Sequence, residues 1–405
     1  MAGLYLHVPY CRKACTYCDF HFSTQLSTLP AMVEAMQNEL RARWPQGHPM
    51  ATWYWGGGTP SVLPAASMEA LTETLRRHSP LQPGGEFTLE ANPEDLTADH
   101  LAAWRRLGMN RLSVGVQTFV DARLAWMNRA HTGRQAQEGI ARAQDAGFEN
   151  ISLDLIYGLP GTSLGEWQDN VGMALDLGTP HLSTYALTVE ERTALHHAIQ
   201  SGKTASPDDA RASEDFLWLR KHLRSQGWDP YEISNASLPG WRAQHNSAYW
   251  AGDAYVGIGP GAHSFDGHDE RRWNLPNNAR YLKAWAQTPA PPHPQTPKPP
   301  SSQTPTPPGP QTPKPPSPQT SCSESEHLSP LDRLNERIMT SLRRAEGLSR
   351  GDVGDHARAL DFAWETYVRK GWILQTPEAW SLTDEGLLWM DRIAADGFVS
   401  AEDLP

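Results

Sequence analysis

The sequence has no apolar run long enough to cross a bilayer, and no apolar stretch of the secretory type precedes Cys11. We therefore expect no transmembrane helix and no secretory leader, and we predict a cytoplasmic protein. Only four of the 405 residues are cysteine, and three of these lie between positions 11 and 18. So few cysteines argue against a disulfide framework and fit a reducing compartment.

Positive charge is also scarce. Lys and Arg number 35 against 46 Asp and Glu, which gives a formal net charge of −11 at pH 7. A protein that binds nucleic acid through its phosphates needs a basic surface, so no nucleic-acid partner is expected. The length of the chain allows one large domain and a smaller one.

The cysteines that are present form the motif C-x3-C-x2-C, made of Cys11, Cys15 and Cys18. Thiolates are soft ligands, and three at this spacing can bind three corners of a 4Fe–4S cluster. The fourth iron then lacks a protein ligand and is open to another molecule. The alternative is a structural zinc site in which His21 completes a Cys3His set.

Short apolar runs alternate with helix-like stretches over the first 265 residues. The runs that predict strands are Leu4–Val8, Thr52–Trp55, Glu86–Glu90, Arg111–Val116, Ile151–Ile156 and His181–Leu187. Helical spacing marks the stretches between them, Met32–Trp44, Ser67–His78, Asp99–Leu107, Gly133–Ala146 and Leu164–Leu177. This alternation is typical of a parallel sheet with crossover helices, so the predicted fold class is α/β, a partial (β/α)6 TIM-like barrel.

In such folds functional residues gather at the carboxyl ends of the strands. The glycine-rich loop Gly56–Pro60 follows the second predicted strand, where glycines let the backbone approach a ligand closely. A purely structural turn is the alternative. Polar residues stand at or beyond later strand ends, namely Glu90, Gln117, Arg129 and Asp154. They predict a pocket lining, and a salt-bridged barrel rim is the alternative.

The composition changes over 288–320, where proline, glutamine, threonine, serine and lysine dominate. Such a segment cannot bury enough apolar surface to offset its ordering entropy. We predict a disordered Pro-rich linker over 288–327, with a ligand for a proline-recognition domain as the alternative. The linker separates a domain at 1–287 from one at 328–405.

Residues 328–405 are predicted to form a small winged-helix-like helical domain. Ser329 and Pro330 are typical of a helix start, and later helix-like stretches are followed by a hairpin pattern. Nine Lys and Arg residues against 14 Asp and Glu leave no basic surface for DNA. A protein-docking or lid domain is therefore the better prediction.

Several motifs occur together in one order: the cysteine motif, Gly56–Pro60, Glu90–Pro93, Ser113–Phe119 and Gly158–Gly161. In this combination the chain resembles radical S-adenosylmethionine (SAM) proteins, within the group of oxygen-independent coproporphyrinogen III oxidase and its heme-chaperone relatives. The resemblance runs from about residue 3 to 265 and resumes from 328 to 395.

The resemblance implies a radical SAM barrel whose 4Fe–4S cluster is held by the three cysteines, with SAM bound to the open iron. It implies SAM contacts at Tyr5, Tyr17, Gly57, Gly58, Thr59, Glu90, Gln117, Arg129 and Asp154. An electron from the cluster would cleave the sulfonium C–S bond, giving methionine and a 5′-deoxyadenosyl radical. No catalytic residue of the protein follows from the resemblance.

Three features favour the HemW-like heme-chaperone branch over the oxidase. Phe20 stands where the oxidase has a further cysteine, the long N-terminal extension of the oxidase is missing, and His245–Trp250 matches the H-N-x-x-Y-W element of the chaperone branch. The resemblance thus implies a protein that carries heme to heme-requiring proteins, including membrane-associated respiratory ones. Oxidation of coproporphyrinogen III is the alternative, and a radical enzyme with an unrelated substrate is a third, so enzyme activity stays an open question.

His245 is the candidate heme ligand, because a neutral imidazole is a common axial ligand of heme iron. The alternative is a hydrogen-bonded loop histidine that holds Tyr249 and Trp250 in place. His263, which lies in a glycine-rich setting, competes for the same role.

The linker prediction can be tested by deleting residues 289–320. We expect the shortened protein to keep its cluster and its heme binding, because a spacer without a core contributes to neither site. Iron and sulfide content and a heme titration measure the two properties. Loss of either on deletion would refute the linker interpretation.

Overall fold

The computed structural model describes residues 2–43, 48–286 and 322–400. Six parallel strands form the centre of one sheet in chain order: β1 (Gly3–Val8), β2 (Met50–Gly57), β3 (Leu81–Ala91), β4 (Arg111–Gln117), β5 (Asn150–Tyr157) and β6 (His181–Ala186). Six helices lie between them: α1 (Leu29–Arg43), α2 (Ala65–His78), α3 (Ala98–Leu107), α4 (Asp121–Trp126), α5 (Gly133–Asp145) and α6 (Leu164–Asp176). The predicted α/β fold is confirmed.

The two faces of the parallel strands differ in chemistry. Along β5, Leu153 and Leu155 are fully buried in the main apolar core. Asp154 lies between them in sequence and therefore on the opposite face, because side chains alternate along a strand. Ser152 also lies on that face and bonds with Ser183 of β6 at 3.0 Å. The concave interior of the sheet is therefore polar, while its outer face packs against helices.

The sheet does not close into a full barrel. Strand β6 pairs with β5 and with the antiparallel strand β7 (Asn235–Ser237), and β1 pairs with β2 and with β8 (Tyr255–Ile258). Two further strands extend this second edge, β9 (His263–Phe265) and β10 (Glu270–Asn274). The helices of this region are α7 (Ala194–Gln200), α8 (Asp209–Ser225), α9 (Gln244–Ala251) and α10 (Asn278–Trp285).

The linker prediction is wrong at its C-terminal end. Residues 323–327 form β11 (Ser323–His327), which pairs antiparallel with β10 at the edge of the sheet. Backbone pairing at an edge needs no apolar side chains, and Arg271 lies 3.8 Å from Glu326 across this pair. A polar segment can therefore form a strand here. The rest of the predicted linker, 288–321, lies outside the described residues.

The C-terminal residues have a separate apolar core, which includes Ile338, Trp364 and Trp380. Their helices are α11 (Pro330–Leu342), α12 (Arg350–Val353), α13 (Ala357–Arg369), α14 (Asp384–Leu387) and α15 (Met390–Asp396). Their strands are β12 (Leu348–Ser349), β13 (Ile373–Gln375) and β14 (Ala379–Leu382), in the order β12-β14-β13. The predicted hairpin is β13–β14, and helices packed on it give a winged-helix-like arrangement.

Ion pairs join these C-terminal residues to the rest of the protein. Arg271 of β10 makes two hydrogen bonds to the carboxylate of Glu336 on α11, at 2.6 and 2.9 Å. Arg220 of α8 donates to Asp384 at 2.6 Å. Among the described residues, no helix combines the length and the apolar character needed to span a membrane.

A buried carboxylate secures the extended edge of the sheet. Glu39 of α1 is fully buried and accepts hydrogen bonds from Arg43 at 3.2 Å, from Asn274 at 2.9 Å and from the Tyr281 hydroxyl at 2.5 Å. Arg43 also donates to the hydroxyl of Ser264 on β9 at 3.0 Å. The pair thus joins α1 to β9, β10 and α10, which come much later in the sequence.

We expect Glu39→Leu to lower the free energy of unfolding by about 3–5 kcal/mol, because Arg43 would be left buried without a counter-charge. The measurement is the urea unfolding midpoint. Glu73→Leu is the control, since Glu73 pairs with Arg77 on the exposed surface of α2 and surface pairs contribute little. Equal losses in both variants would contradict the special role of the buried pair.

Candidate functional site

The loop after β1 carries the three predicted cluster ligands, all of them partly exposed free thiols. Backbone hydrogen bonds hold the loop in place. The N–H of Cys11 donates to the Ser23 carbonyl at 3.1 Å, and the N–H of Thr16 donates to the Met127 carbonyl at 3.2 Å. The loop is thereby fixed at the carboxyl edge of the parallel strands.

Two of the sulfur atoms have polar neighbours from elsewhere in the chain. The Thr59 hydroxyl donates to Cys11 Sγ at 3.3 Å, and the Arg129 guanidinium donates to Cys15 Sγ at 3.5 Å. Burial raises the pKa of Cys18 to about 11 and also raises the pKa of Cys11. Because metals bind the thiolate, loading this loop must release protons, and the nearby Arg129 favours that release.

The zinc alternative can be tested on the geometry. No group of three or more Cys, His, Asp or Glu side chains within the described ranges is arranged to hold a metal ion. His21 Nε2 is bonded to Asn278 Oδ1 at 2.8 Å instead. A cube-shaped cluster holds its ligands farther apart than a single ion does. A chain with three soft thiolates and no fourth partner therefore fits the cluster better than zinc.

The glycine loop lies directly beside the cysteine loop. A side chain at Gly58 would come within 2.7 Å of the backbone of Tyr10, and Gly57 has a positive φ of 107°. Both positions therefore require glycine. The N–H groups of Gly57, Gly58 and Thr59 already donate to Glu90, Val8 and Tyr10. At these three positions the loop therefore has no free N–H donor for a ligand.

Two partly buried carboxyl groups lie on the polar inner face. Strand register places Glu90 beside Ser113 and Asp154 beside Ser183. Glu90 accepts hydrogen bonds from the Tyr54 hydroxyl at 2.7 Å and from the Gly57 N–H at 3.1 Å. Burial raises the pKa of Glu90 to about 7 and that of Asp154 to about 6. A cationic ligand placed next to these buried carboxyl groups would stabilise their ionised form.

The remaining predicted SAM contacts lie at the same edge. Arg129 donates to the Gly115 carbonyl and to Asn92 Oδ1, both at 2.7 Å, and the Gln117 amide lies close to Gly115. Gln117 has a left-handed φ of 67° at the end of β4, a conformation that non-glycine residues rarely adopt. The hydroxyl of Tyr5 lies 3.2 Å from His7 Nδ1.

The structure places Tyr17 in a different setting from the other predicted contacts. Tyr17 follows Cys15 in the loop and packs against a small apolar cluster that contains Met127 and Ile156. Burial raises its pKa above the ordinary tyrosine value.

His245 lies under the inner face of the sheet with only 1% of its surface exposed. It lies in the first turn of helix α9 and not in a loop. Its Nδ1 is 2.7 Å from the Thr52 hydroxyl, and its Nε2 is 2.8 Å from the Tyr249 hydroxyl. Burial lowers its pKa to about 3. An iron bond at His245 would require one of these contacts to break, so the geometry favours the alternative in which His245 holds Tyr249.

Several residues of this region were not predicted from the sequence. Tyr54 bonds Glu90, and Asn92 bonds Arg129. Arg12 inside the cysteine motif bonds the buried Asp95, which also accepts from Ser61 at 2.6 Å. Asn92 belongs to the Glu90–Pro93 motif, so the sequence did contain a signal that could have identified it as a site residue. The partners of Tyr54 and Asp95 depend on strand order and had no local signal.

A cavity of about 830 Å³ opens beside the cysteine and glycine loops. Tyr5, Gly57 and Glu90 line one part of it, next to Phe20 and His21. The cavity continues past β9 and β10 to α11, where side chains of the C-terminal residues complete its wall. Its size is that of sites that enclose a cofactor-sized molecule.

The chain matches a family model described as the Radical SAM superfamily over residues 5–174. It is 30% identical to "Heme chaperone HemW" of Bacillus subtilis, with 96% of this chain and 97% of that protein covered. It is 37% identical to the protein of the same name from Mycobacterium tuberculosis, over 71% and 75% of the two chains.

Among solved structures, the coproporphyrinogen III oxidase HemN from Escherichia coli, described as a radical SAM enzyme, matches with a TM-score of 0.78. The match covers 98% of this chain and 90% of that one at 20% sequence identity. It establishes a shared fold over nearly the whole chain.

The raised pKa of Glu90 predicts a pH-dependent stability. An unfolded glutamate ionises near pH 4.3, so between about pH 4.5 and 7 the folded protein keeps a proton that the unfolded chain has lost. Stability therefore falls as pH rises through this range. We expect Glu90→Gln to reduce the loss between about pH 5 and 8 by on the order of 1–2 kcal/mol, since one side of Glu90 is open to the cavity.

The measurement is the free energy of unfolding in urea at both pH values for wild type and variant. Asp154 titrates in both proteins, so only the difference between them reports on Glu90. Glu365→Gln, at an exposed position on α13, should leave the slope unchanged. Equal slopes in wild type and Glu90→Gln would contradict the raised pKa.

Proposed function

The chain belongs to the HemW family of heme chaperones within the radical SAM superfamily, and from this premise we propose that it binds heme and delivers it to heme-requiring proteins. The observation that carries the proposal is the cavity beside the cysteine loop. It has the volume for a tetrapyrrole, and both aromatic and histidine side chains line it.

Cys11, Cys15 and Cys18 would hold the 4Fe–4S cluster, and SAM would occupy the adjoining part of the cavity. The residues assigned to SAM are Tyr5, Tyr17, Gly57, Gly58, Thr59, Glu90, Gln117, Arg129 and Asp154. Support comes from Glu90 and Asp154, two carboxyl groups with raised pKa values, because a nearby cationic ligand stabilises the ionised form of such groups. Together the two cofactors supply one-electron reductive chemistry when bound.

The protein's own residues have separable tasks at this edge. Arg129 donates to the sulfur of Cys15, and Thr59 donates to the sulfur of Cys11. Glu90 holds both the glycine loop and Tyr54, so it couples the position of that loop to the inner face of the sheet. None of these contacts requires the protein to act as an enzyme.

Heme is the cargo in this proposal, and the acceptors are heme-requiring proteins, among them membrane-associated respiratory proteins. The cytoplasm is the proposed location. His245 remains a predicted heme residue, with Tyr249 and Thr52 as the contacts that its iron bond would have to replace.

The proposal predicts that cluster-reconstituted protein retains one heme per chain through gel filtration under anaerobic conditions. We then expect the rate of heme transfer to a heme-free b-type cytochrome to exceed the rate of transfer to an unrelated heme-binding protein such as albumin. The Soret band of each separated fraction measures the transfer. A wild-type protein that retains no heme would overturn the proposal.

The same preparation distinguishes the alternatives. Protoporphyrinogen formed at catalytic turnover from coproporphyrinogen III would identify the oxidase, and 5′-deoxyadenosine release without heme affinity would identify another radical enzyme. We expect His245→Ala to weaken heme binding without shifting the Soret maximum if His245 only supports Tyr249. A shifted maximum would identify it as the iron ligand.

A further inference from the structure

The cavity has an outer part that the cluster and SAM do not require. It lies between β9 and β10 on one side and α11 on the other, away from the glycine loop. Its walls carry flat aromatic rings, two histidines (His263 and His268) and three arginines (Arg271, Arg333 and Arg337). The chemistry of this outer part identifies where heme would bind, so the inference deepens the proposed function and rests on it.

His263 of β9 is exposed at the wall of this outer part. Its ring stacks on the indole of Trp273 with a centroid distance of 5.9 Å and an interplanar angle of 21°. Neither of its ring nitrogens has a hydrogen-bond partner among the described residues. Burial, with Arg271 nearby, lowers the pKa of His263, so its imidazole is neutral at physiological pH and keeps a free lone pair.

The other histidines of the cavity are less available. Both ring nitrogens of His7 are engaged, with the Tyr5 hydroxyl at 3.2 Å and the His21 carbonyl at 3.0 Å. His245 is likewise engaged at both nitrogens, and His21 is bonded to Asn278. His268 also has a partner within the protein. Among the histidines that line the cavity, His263 therefore offers heme iron the most accessible ring nitrogen.

The backbone that carries His263 is held firmly. The adjacent Ser264 is buried, and its hydroxyl oxygen accepts two hydrogen bonds, from the Arg43 guanidinium at 3.0 Å and from the Gly257 N–H of β8 at 3.0 Å. Trp273 lies directly opposite His263 in the β9–β10 pair. The ring is thus held on a rigid strand. This favours metal binding, because little conformational entropy is lost when the iron binds.

Two arginines on α11 face the same space. Arg333 is exposed and has no carboxylate partner among the described residues, and Arg337 donates only to the Ala251 carbonyl at 3.1 Å. Their spacing of four residues places them on one face of the helix. By contrast, Arg271 is neutralised by Glu336. Two unpaired guanidinium groups match the two propionates on one edge of heme.

An exposed aromatic ring completes the site. Phe20 is 70% exposed, an unusual state for a large apolar side chain, and it lines the cavity between the cysteine loop and the outer part. A flat apolar ring can cover such a side chain. We propose that heme lies in this outer part, with its iron bound by His263, its propionates facing Arg333 and Arg337, and Phe20 against the macrocycle.

The first test is anaerobic heme titration of the full-length, cluster-reconstituted protein and its His263→Ala variant. Loss of a partner that only supports a metal ligand costs about 10–100-fold in affinity. We expect His263→Ala to cost more than this, and to change the Soret maximum and the ferric EPR spectrum. His263→Cys should restore binding with a thiolate-type spectrum. His268→Ala is the matched control, because His268 is also exposed on the cavity wall.

The second test uses the propionates. Wild type should bind heme more tightly than its dimethyl ester, and Arg333→Gln with Arg337→Gln should remove that preference. Arg369→Gln, on the exposed surface of α13, should keep it. Circular dichroism and iron content establish that each variant is folded and loaded.

The outcomes separate the two proposals. A wild-type protein without heme affinity would overturn the proposed function itself. Normal heme affinity with an unchanged spectrum in His263→Ala would leave that function standing and overturn this site. The same holds if His268→Ala, and not His263→Ala, alters the spectrum.

Discussion

The site depends on one constraint, the common direction and register of six parallel strands. Because side chains alternate along each strand, every second residue of neighbouring strands faces the same interior, and the carboxyl ends of the strands share one edge. Tyr54, Glu90 and Asp154 are therefore near one another although they are far apart in sequence. The cysteine and glycine loops are continuations of β1 and β2, which places them side by side.

That regularity also explains what could be predicted. The six strands and five of the six helices between them follow from apolar periodicity and turn residues, which are local signals. Helix α4 was not predicted, and β3 begins at Leu81 instead of the predicted Glu86. The cysteine spacing and the motifs at the strand ends located the edge where the site lies. What the sequence could not show was how the groups there are paired. The N–H groups of the glycine loop are already used, and so are both nitrogens of His245.

The failures have a common physical cause in contacts that span the chain. Strand β11 has no apolar pattern, because it forms by backbone pairing with β10 at an edge. The buried pair of Glu39 and Arg43 has partners on α10, β9 and β10, and none of these could be assigned without the tertiary fold. His263 shows the same dependence, since its place on the cavity wall beside Gly261 and Gly267 follows only from the tertiary fold.

The shared wall of the cavity has a mechanical consequence. One side belongs to the sheet and the other to α11, and the ion pair of Arg271 on β10 with Glu336 on α11 joins the two. A molecule that touches both sides acts as a removable cross-link, since whatever binds the assembled form also stabilises it. A ligand in the cavity would reduce the motion of α11 against the sheet, and separation of α11 from the sheet would release that ligand.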